Sequence, residues 1–201
     1  MIWRSAGIEA PGLTFPDTCN IINDALDSGR SIRSRDILTV NQVKHAWACL
    51  FDHIDHPLDV RMLCEYNRPI GELTEPDPGL LRTRPVRISG TDWTPPRRID
   101  GRMAADRIAE ALADRDPVGG ALRLFAFVCR DQWFRNGNKR TAAMAANHLL
   151  ISSGAGVFAM PPSVSEGEFR RELVAWYDTG DLPPSPPGWP AMRSARPTAT
   201  V

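Results

Sequence analysis

A short polar loop, Asn136-Gly137-Asn138, separates two helical patterns and limits the architectures open to the chain. Before it, VGGALRLFAFVCRDQ (118–132) places apolar residues at helical spacing, and after it TAAMAANHLL (141–150) is rich in alanine. Asn-Gly is also the strongest short signal for a two-residue β-hairpin, but the alanine-rich segment is poor strand material. The pattern therefore predicts a helix, a tight loop and a second helix.

Other segments predict more helices. Residues 17–29 have Asp17 or Thr18 as N-caps and Gly29 as a stop, and 39–56 open on a capping box of Thr39 and Gln42. Helical spacing returns in 58–70, 98–115 and after a second capping box at 165–168. Seven or eight helices in all predict a mainly α fold.

One segment has a different period. In LLRTRPVRISGTDWTPP (80–96), Val86 and Ile88 alternate with polar residues, and Ser89-Gly90-Thr91 is typical of a turn. The segment is predicted to form a β-hairpin.

Charge and composition exclude several classes of partner. The 24 basic and 24 acidic residues cancel, so no global field draws the chain to nucleic acid or to a membrane surface. No segment resembles a membrane span or a signal peptide, which predicts a cytoplasmic protein. The four cysteines are far apart and are expected to be reduced, without a zinc site.

Three regions are predicted along the chain. Residues 1–16 form an N-terminal extension, 17–180 a single helical domain, and 181–201 a proline-rich tail with too little apolar periodicity to pack.

The loop has the properties of an anion site. A helix starting near Lys139 or Arg140 directs the free N–H groups of its first turn into the loop, and its dipole favours an anion there. Gly137 permits close backbone approach, and the two cations add charge. Residues 137–141 (Gly137, Asn138, Lys139, Arg140, Thr141) are therefore predicted to cradle a phosphate; a simply capped loop is the alternative.

These residues also carry a resemblance. The stretch FRNGNKRTA (134–142) resembles the core motif of the Fic/Doc (Fido) family, His-x-Phe-x-Asp/Glu-Gly-Asn-Gly/Lys-Arg, and is most similar to the Doc branch. The segment 80–96 resembles the hairpin flap of Fic proteins, and ILTVNQV (37–43) resembles the start of an early Fic helix. The similarity spans roughly residues 17–180.

The resemblance implies a Fic/Doc-like helical bundle with a small β-hairpin flap. Most members transfer AMP from ATP to a protein hydroxyl, whereas Doc-type members phosphorylate a protein, and both use the motif histidine as a base. ATP or another nucleotide is thus the implied ligand. A protein target is implied at the flap, over 84–91 and at Val86, Ile88, Gly90 and Trp93.

The sequence departs from the motif at its chemical positions. Gln132 stands at the histidine, and an amide can orient a hydroxyl but cannot deprotonate it. Asn136 stands at the metal-binding acid, which makes Mg²⁺ doubtful. Ala143 falls on the second motif arginine, and Asn23 on the glutamate of the inhibitory helix found in many Fic proteins.

Nearby groups offer few substitutes. Asp131 is expected to face away from the loop, and His148 to lie two turns down the following helix. The acidic and histidine residues of 52–56 predict a polar helix end rather than a metal cluster. Trp133 and Trp93 are expected to pack between loop and flap rather than to stack on a ligand.

Three functions remain open. The first is a Fic-fold protein that binds a nucleotide or other phosphate-bearing ligand, with histidine-dependent AMP transfer weak or absent. The second is an enzyme with changed chemistry on a small-molecule or carrier-bound substrate. The third is a non-catalytic regulatory or interaction protein.

Overall fold

The described part of the computed structural model is helical. It comprises residues 1–10, 12–23, 25, 32–159 and 166–180, and no β-strand occurs within these ranges. The eight helices are α1 (Ile2–Ala6), α2 (Phe15–Ile22), α3 (Ser34–Asp52), α4 (Val60–Gly71), α5 (Gly101–Leu112), α6 (Pro117–Asp131), α7 (Asn138–Ser152) and α8 (Glu166–Thr179). The predicted mainly α fold is confirmed.

Aspartate caps begin three consecutive helices. Asp59, Asp100 and Asp116 each accept a bond from a backbone N–H in the first turn of α4, α5 and α6, and Pro117 occupies the first turn of α6. Such caps satisfy N–H groups that the helix itself leaves without acceptors. The helices predicted at 58–70 and 98–115 therefore each begin directly after an aspartate whose carboxylate caps the first turn.

Two predicted helix starts are wrong. Helix α2 begins at Phe15, because Thr14 and Asp17 form the capping box, and its predicted stop at Gly29 lies outside the described residues. Helix α3 begins at Ser34, with an Arg33–Asp36 ion pair of 2.8 Å at its first turn. Thr39 lies inside α3 and donates to the Arg35 carbonyl rather than capping a helix.

The alanine-rich helix α7 is the centre of the bundle. Eleven of its fifteen residues are buried, and α3, α4 and α6 pack around it. Small side chains let these helices approach closely. Asn147 and His148, two of the buried polar residues of α7, are bonded to the Phe158 and His56 carbonyls.

The N-terminal helix packs on the same bundle. Helix α1 lies against α3, and the buried Trp47 indole donates to Ser5 Oγ over 3.1 Å. The boundary between residues 16 and 17 stays a prediction, and the tail at 181–201 and the capping residue Ser165 lie outside the described residues.

The predicted hairpin is wrong. Residues 80–96 form a loop without paired strands, although a turn is present at Ser89-Gly90. Val86 and Ile88 are half-buried, and Gly90 has a φ of 87°. Pro85, Pro95 and Pro96 lack the N–H that a strand ladder needs, so the alternation of two residues does not extend into a pair of strands.

No helix in the described ranges has both the length and the apolar character needed to cross a membrane.

Candidate functional site: the loop between α6 and α7

Two left-handed residues define the loop. Gln132 ends α6 with a φ of 51°, and Gly137 precedes α7 with a φ of 76°. Non-glycine residues seldom adopt positive φ, and Gln is not one of the types enriched there. The backbone at Gln132 is held from outside, because the Arg82 guanidinium donates to its carbonyl through Nε.

The Gln132 side chain is bonded at both ends within the loop. Its Nε2 donates to the Cys129 carbonyl over 2.5 Å, and its Oε1 accepts from Asn138 Nδ2 over 3.0 Å. These bonds fix the direction of the amide. A glutamine therefore occupies this position as part of the loop's own hydrogen-bond network.

Asn138 closes the loop. Its Oδ1 accepts from the Phe134 N–H over 2.8 Å, and its Nδ2 also donates to the Phe134 carbonyl over 2.8 Å. The side chain is buried, with 5% of its surface exposed. In this conformation the Asn138 side chain is bonded within the loop and presents no free donor.

Helix α7 begins without a side-chain cap. Gly137 lies against Ile70, where an added Cβ would meet Ile70 Cγ2 far inside contact distance. Asn67 of α4 donates to both the Asn136 carbonyl and Thr141 Oγ1, each over 3.0 Å. Helix α4 thus fixes the start of α7, and the hydroxyl of the fully buried Thr141 is already bonded.

The two predicted cations contact other parts of the bundle. Lys139 Nζ lies 3.1 Å from Glu9 Oε1, and both side chains remain partly exposed. Arg140 Nη1 donates to Gln42 Oε1 over 2.8 Å, while its buried Nε has no hydrogen-bond partner. Burial lowers the pKa of Arg140, and Glu9 opposes this effect. At this end of α7, Glu9 therefore neutralises Lys139, whereas Arg140 is bonded to a neutral amide of α3.

Asn136 lies at the exposed outer edge of the loop. Its Oδ1 accepts from the Gly137 N–H over 2.6 Å. The described residues include no group of three His, Cys, Asp or Glu side chains that could hold a metal ion. In the segment 52–56, His53 Nδ1 is bonded to the Cys49 carbonyl over 2.8 Å.

Arg82 connects the α6–α7 loop to residues 84–97, the segment that follows Arg82 in the chain. The guanidinium is 2% exposed. It donates to five backbone carbonyls, those of Arg84, Pro96, Arg97, Asp131 and Gln132. The backbone N–H of Arg82 donates to the Trp133 carbonyl over 2.9 Å. Both ends of the 84–97 segment are thereby attached to the end of α6.

The two tryptophans have packing roles. Trp133 is fully buried. Trp93 donates to the Arg130 carbonyl over 3.0 Å, and the Arg130 guanidinium lies 3.4 Å from the centre of its ring system. Arg130 also donates to the Tyr177 carbonyl, which links this segment to α8.

Neither His148 nor Asp131 is placed to act as a base at the loop. His148 is buried, with Nδ1 2.5 Å from the Tyr66 hydroxyl and Nε2 3.0 Å from the His56 carbonyl. Burial lowers the pKa of His148, so its neutral form is favoured. Burial raises the pKa of Asp131, while Arg107, 3.8 Å away, opposes the shift.

Sequence reasoning missed the residues that build this site from a distance. Arg82, Asn67, Gln42 and Glu9 each reach the loop from a different element. Gln42 and Arg82 lie in stretches that resemble Fic segments, but neither these stretches nor the positions of Glu9 and Asn67 indicate which groups the four side chains contact.

Residues 57–150, which contain the whole loop and its three main helices, match the sequence model of the Fic/DOC family. This match covers 94 of the 201 residues, a little under half of the chain, so the chain is similar to the Fic/DOC family over this region. No curated protein gives a significant match.

Solved Fic structures share the fold. Fic-1 from C. elegans (residues 134–508) superposes with a TM-score of 0.67 at 21% identity, covering 90% of this chain and 55% of that one. A Fic-domain signalling protein from Bacteroides thetaiotaomicron gives 0.62 at 17% identity, with coverages of 86% and 68%. A Fic family protein from Desulfovibrio desulfuricans gives 0.55 at 15% identity, with coverages of 88% and 53%. The chain thus spans only about half the length of the first of these.

Proposed function

We propose that this protein binds a nucleotide or another phosphate-bearing ligand at the first turn of α7, and that histidine-dependent AMP transfer by it is weak or absent. The observation that carries the proposal is the state of Gln132. At the motif position where the family has its histidine, the chain has an amide whose two ends are bonded to Cys129 and Asn138. An amide has no usable basicity near neutral pH, and loss of a positioned base typically costs on the order of 10²- to 10⁴-fold in rate.

The backbone supports anion binding without the base. The first turn of α7 has no side-chain cap, so its N–H groups and the helix dipole favour a negative charge there. Gly137 brings the backbone close to α4 and keeps the entrance to the helix free of a side chain. In the Fic/Doc family, the motif that this stretch resembles holds nucleotide phosphates, which supports the proposal for this helix end.

The cations Lys139 and Arg140 would assist phosphate binding after they exchange their present protein partners for the ligand. Lys139 is held by a single, partly exposed ion pair with Glu9, which contributes little to stability and is readily replaced by an anionic ligand. The Arg140 Nε has no partner to give up. A phosphate at this end of α7 would therefore draw on Lys139 more than on Asn138, whose donors are committed to the loop.

The loop does not fit Mg²⁺ well. The metal prefers charged oxygen ligands, whereas Asn136 is a neutral amide whose oxygen already accepts from Gly137. Ligand binding is accordingly expected to be independent of Mg²⁺.

The non-catalytic alternative has one observation in its favour. The Gln132 and Asn138 side chains are bonded to each other, so both have hydrogen-bond partners without a substrate. A regulatory protein that retains ligand binding but not transfer would have this arrangement.

Calorimetric titration tests the binding. ATP, ADP and inorganic phosphate are each titrated with and without Mg²⁺, against wild type and Lys139→Gln. Lys44→Gln is the matched control, because Lys44 is the only other lysine and its Nζ is bonded to the Ile22 carbonyl, away from the loop. Binding that weakens in Lys139→Gln alone supports the cradle; absence of binding to all three compounds contradicts it.

A gain-of-function variant tests the missing chemistry. Gln132→His with Asn136→Asp restores the motif, and histidine is among the residues that tolerate positive φ. Transfer of labelled AMP by the double variant alone would identify the natural protein as a silenced transferase. Transfer by the wild type at rates typical of the family would contradict the proposal.

A further inference from the structure

The segment between Arg82 and the first turn of α5 concentrates exposed positive charge. Five exposed arginines lie within it, against only two aspartates: Arg84, Arg87, Arg97, Arg98 and Arg102 against Asp92 and Asp100. Asp100 is engaged as the N-cap of α5. Within the described ranges, none of the five arginines has an ion-pair partner. We name these five residues the arginine surface.

Neighbouring arginines behave differently. Four arginines on α4, α5, α6 and the 132–137 loop are paired with carboxylates, in the pairs Arg68–Glu65, Arg107–Glu110, Arg123–Asp114 and Arg135–Glu75. Several cations near the arginine surface are thus neutralised by carboxylates within the described ranges, whereas the five arginines of the surface are not.

The backbone gathers these arginines instead of letting them spread. Arg82 Nη1 donates to the carbonyls of both Arg84 and Arg97, over 2.9 and 3.1 Å, so the two arms of the segment run side by side. The Ile99 N–H is bonded to the Arg82 carbonyl over 3.1 Å, which places Arg98 next to them. Holding like charges together costs free energy unless a partner neutralises them.

We propose that the arginine surface docks an acidic segment of a partner protein beside the α6–α7 loop. Guanidinium groups bind carboxylates in bidentate geometry and are weakly hydrated, which suits them to such an interface. The Arg82 bond to the Gln132 carbonyl makes the surface continuous with the loop.

The surface fits a protein better than a nucleic acid. Single-stranded nucleic acid is bound by cations interleaved with exposed aromatic rings. The one aromatic residue of this segment, Trp93, has Arg130 against its ring and its indole N–H bonded to a carbonyl. The proposal concerns side chains outside the phosphate cradle and does not rest on the proposed function.

Fluorescence anisotropy tests the proposal with three labelled probes of equal length: an oligoglutamate peptide, an oligoglutamine peptide and an oligothymidylate. The test variant is Arg84→Gln/Arg97→Gln/Arg98→Gln, in which the carbonyls used by Arg82 are retained. The matched control is Arg35→Gln/Arg61→Gln/Arg115→Gln, which removes the same charge from exposed arginines that also have no ion-pair partner among the described residues. Circular dichroism checks that both triple variants keep the fold.

Oligoglutamate is expected to bind the wild type and the control with similar affinity. The test variant should bind it roughly 10-fold more weakly, the sum of three modest ion pairs. Three results would overturn the proposal: no binding of oligoglutamate, equal weakening in both triple variants, or tighter binding of oligothymidylate that the test variant abolishes. If Gln132→His/Asn136→Asp leaves oligoglutamate affinity unchanged, the two proposals are separable.

Discussion

Substituting Gly137 by alanine probes how closely the loop approaches α4. Two penalties act at this position. The first is conformational, because a φ of 76° costs an L-residue about 1–2 kcal/mol relative to glycine. The second is steric, because the new Cβ would meet Ile70 Cγ2 well inside the ordinary contact distance of roughly 3.5–4.0 Å and would lie 3.3 Å from Asn67 Nδ2.

Ile70 is fully buried, and its Cγ2 is bonded directly to Cβ of a side chain with a stiff first torsion. Overpacking of this kind costs typically about 1–3 kcal/mol, so the total expected for Gly137→Ala is about 2–5 kcal/mol. Gly154, at the other end of α7, is the matched control, since its φ is 68° and an added Cβ would meet nothing within 4 Å. Gly154→Ala should therefore lose only the conformational part, about 1–2 kcal/mol.

Urea unfolding of the wild type and both variants gives the two losses in the free energy of unfolding. The difference between them isolates the contact with Ile70. Adding Ile70→Ala should recover part of the Gly137→Ala loss, as a coupling of about 1–2 kcal/mol between neighbouring residues. Equal losses at Gly137 and Gly154, or no coupling to Ile70, would refute the close approach.

Three further outcomes follow from the described contacts. Arg82→Met should lower the free energy of unfolding by about 3–5 kcal/mol, because it leaves buried carbonyls without donors; a loss below about 1 kcal/mol in urea unfolding would contradict this. Glu9→Gln should tighten inorganic phosphate binding about 2- to 5-fold in calorimetry by freeing Lys139, and unchanged affinity would show that the pair does not compete with the ligand. His148 has a lowered pKa in the folded state, so the unfolded chain binds more protons and stability falls as pH drops below about 6.5. His148→Gln should flatten that decline by up to about 1.4 kcal/mol per pH unit in urea unfolding followed from pH 7 to 5, and an identical slope would place the titration elsewhere.

Local chemistry explains which elements the sequence predicted. The starts of α4 and α5 follow from Asp59 and Asp100, whose carboxylates act within three residues of where they stand. The alternation at Val86 and Ile88 failed because a hairpin requires a second strand with free N–H groups. At α3 the error was of a related kind: Thr39 has the character of a cap, but the helix had already begun.

The loop between α6 and α7 was predicted in outline, whereas the contacts that support it were not. The positive φ at Gly137 and the uncapped start of α7 agree with the loop pattern. The directions of the polar side chains do not follow from it, because Asn138 folds back on Phe134 and Arg140 reaches Gln42, 98 residues away in sequence. Such partners are set by tertiary packing, and no spacing rule along the chain contains them.

The hydrogen bonds of the Arg82 guanidinium affect which sequence changes the following segment can tolerate. It binds the carbonyls of Arg84 and Pro96 together, so the intervening residues 85–95 leave and return at one anchored point. When the ends of a loop are fixed, doubling its length costs only about 0.6 kcal/mol of closure entropy. Residues 85–90, which precede the Thr91 and Trp93 contacts to Asp178 and Arg130, are thus the part of the segment where insertions or deletions are expected to leave the geometry of the 132–137 loop unchanged.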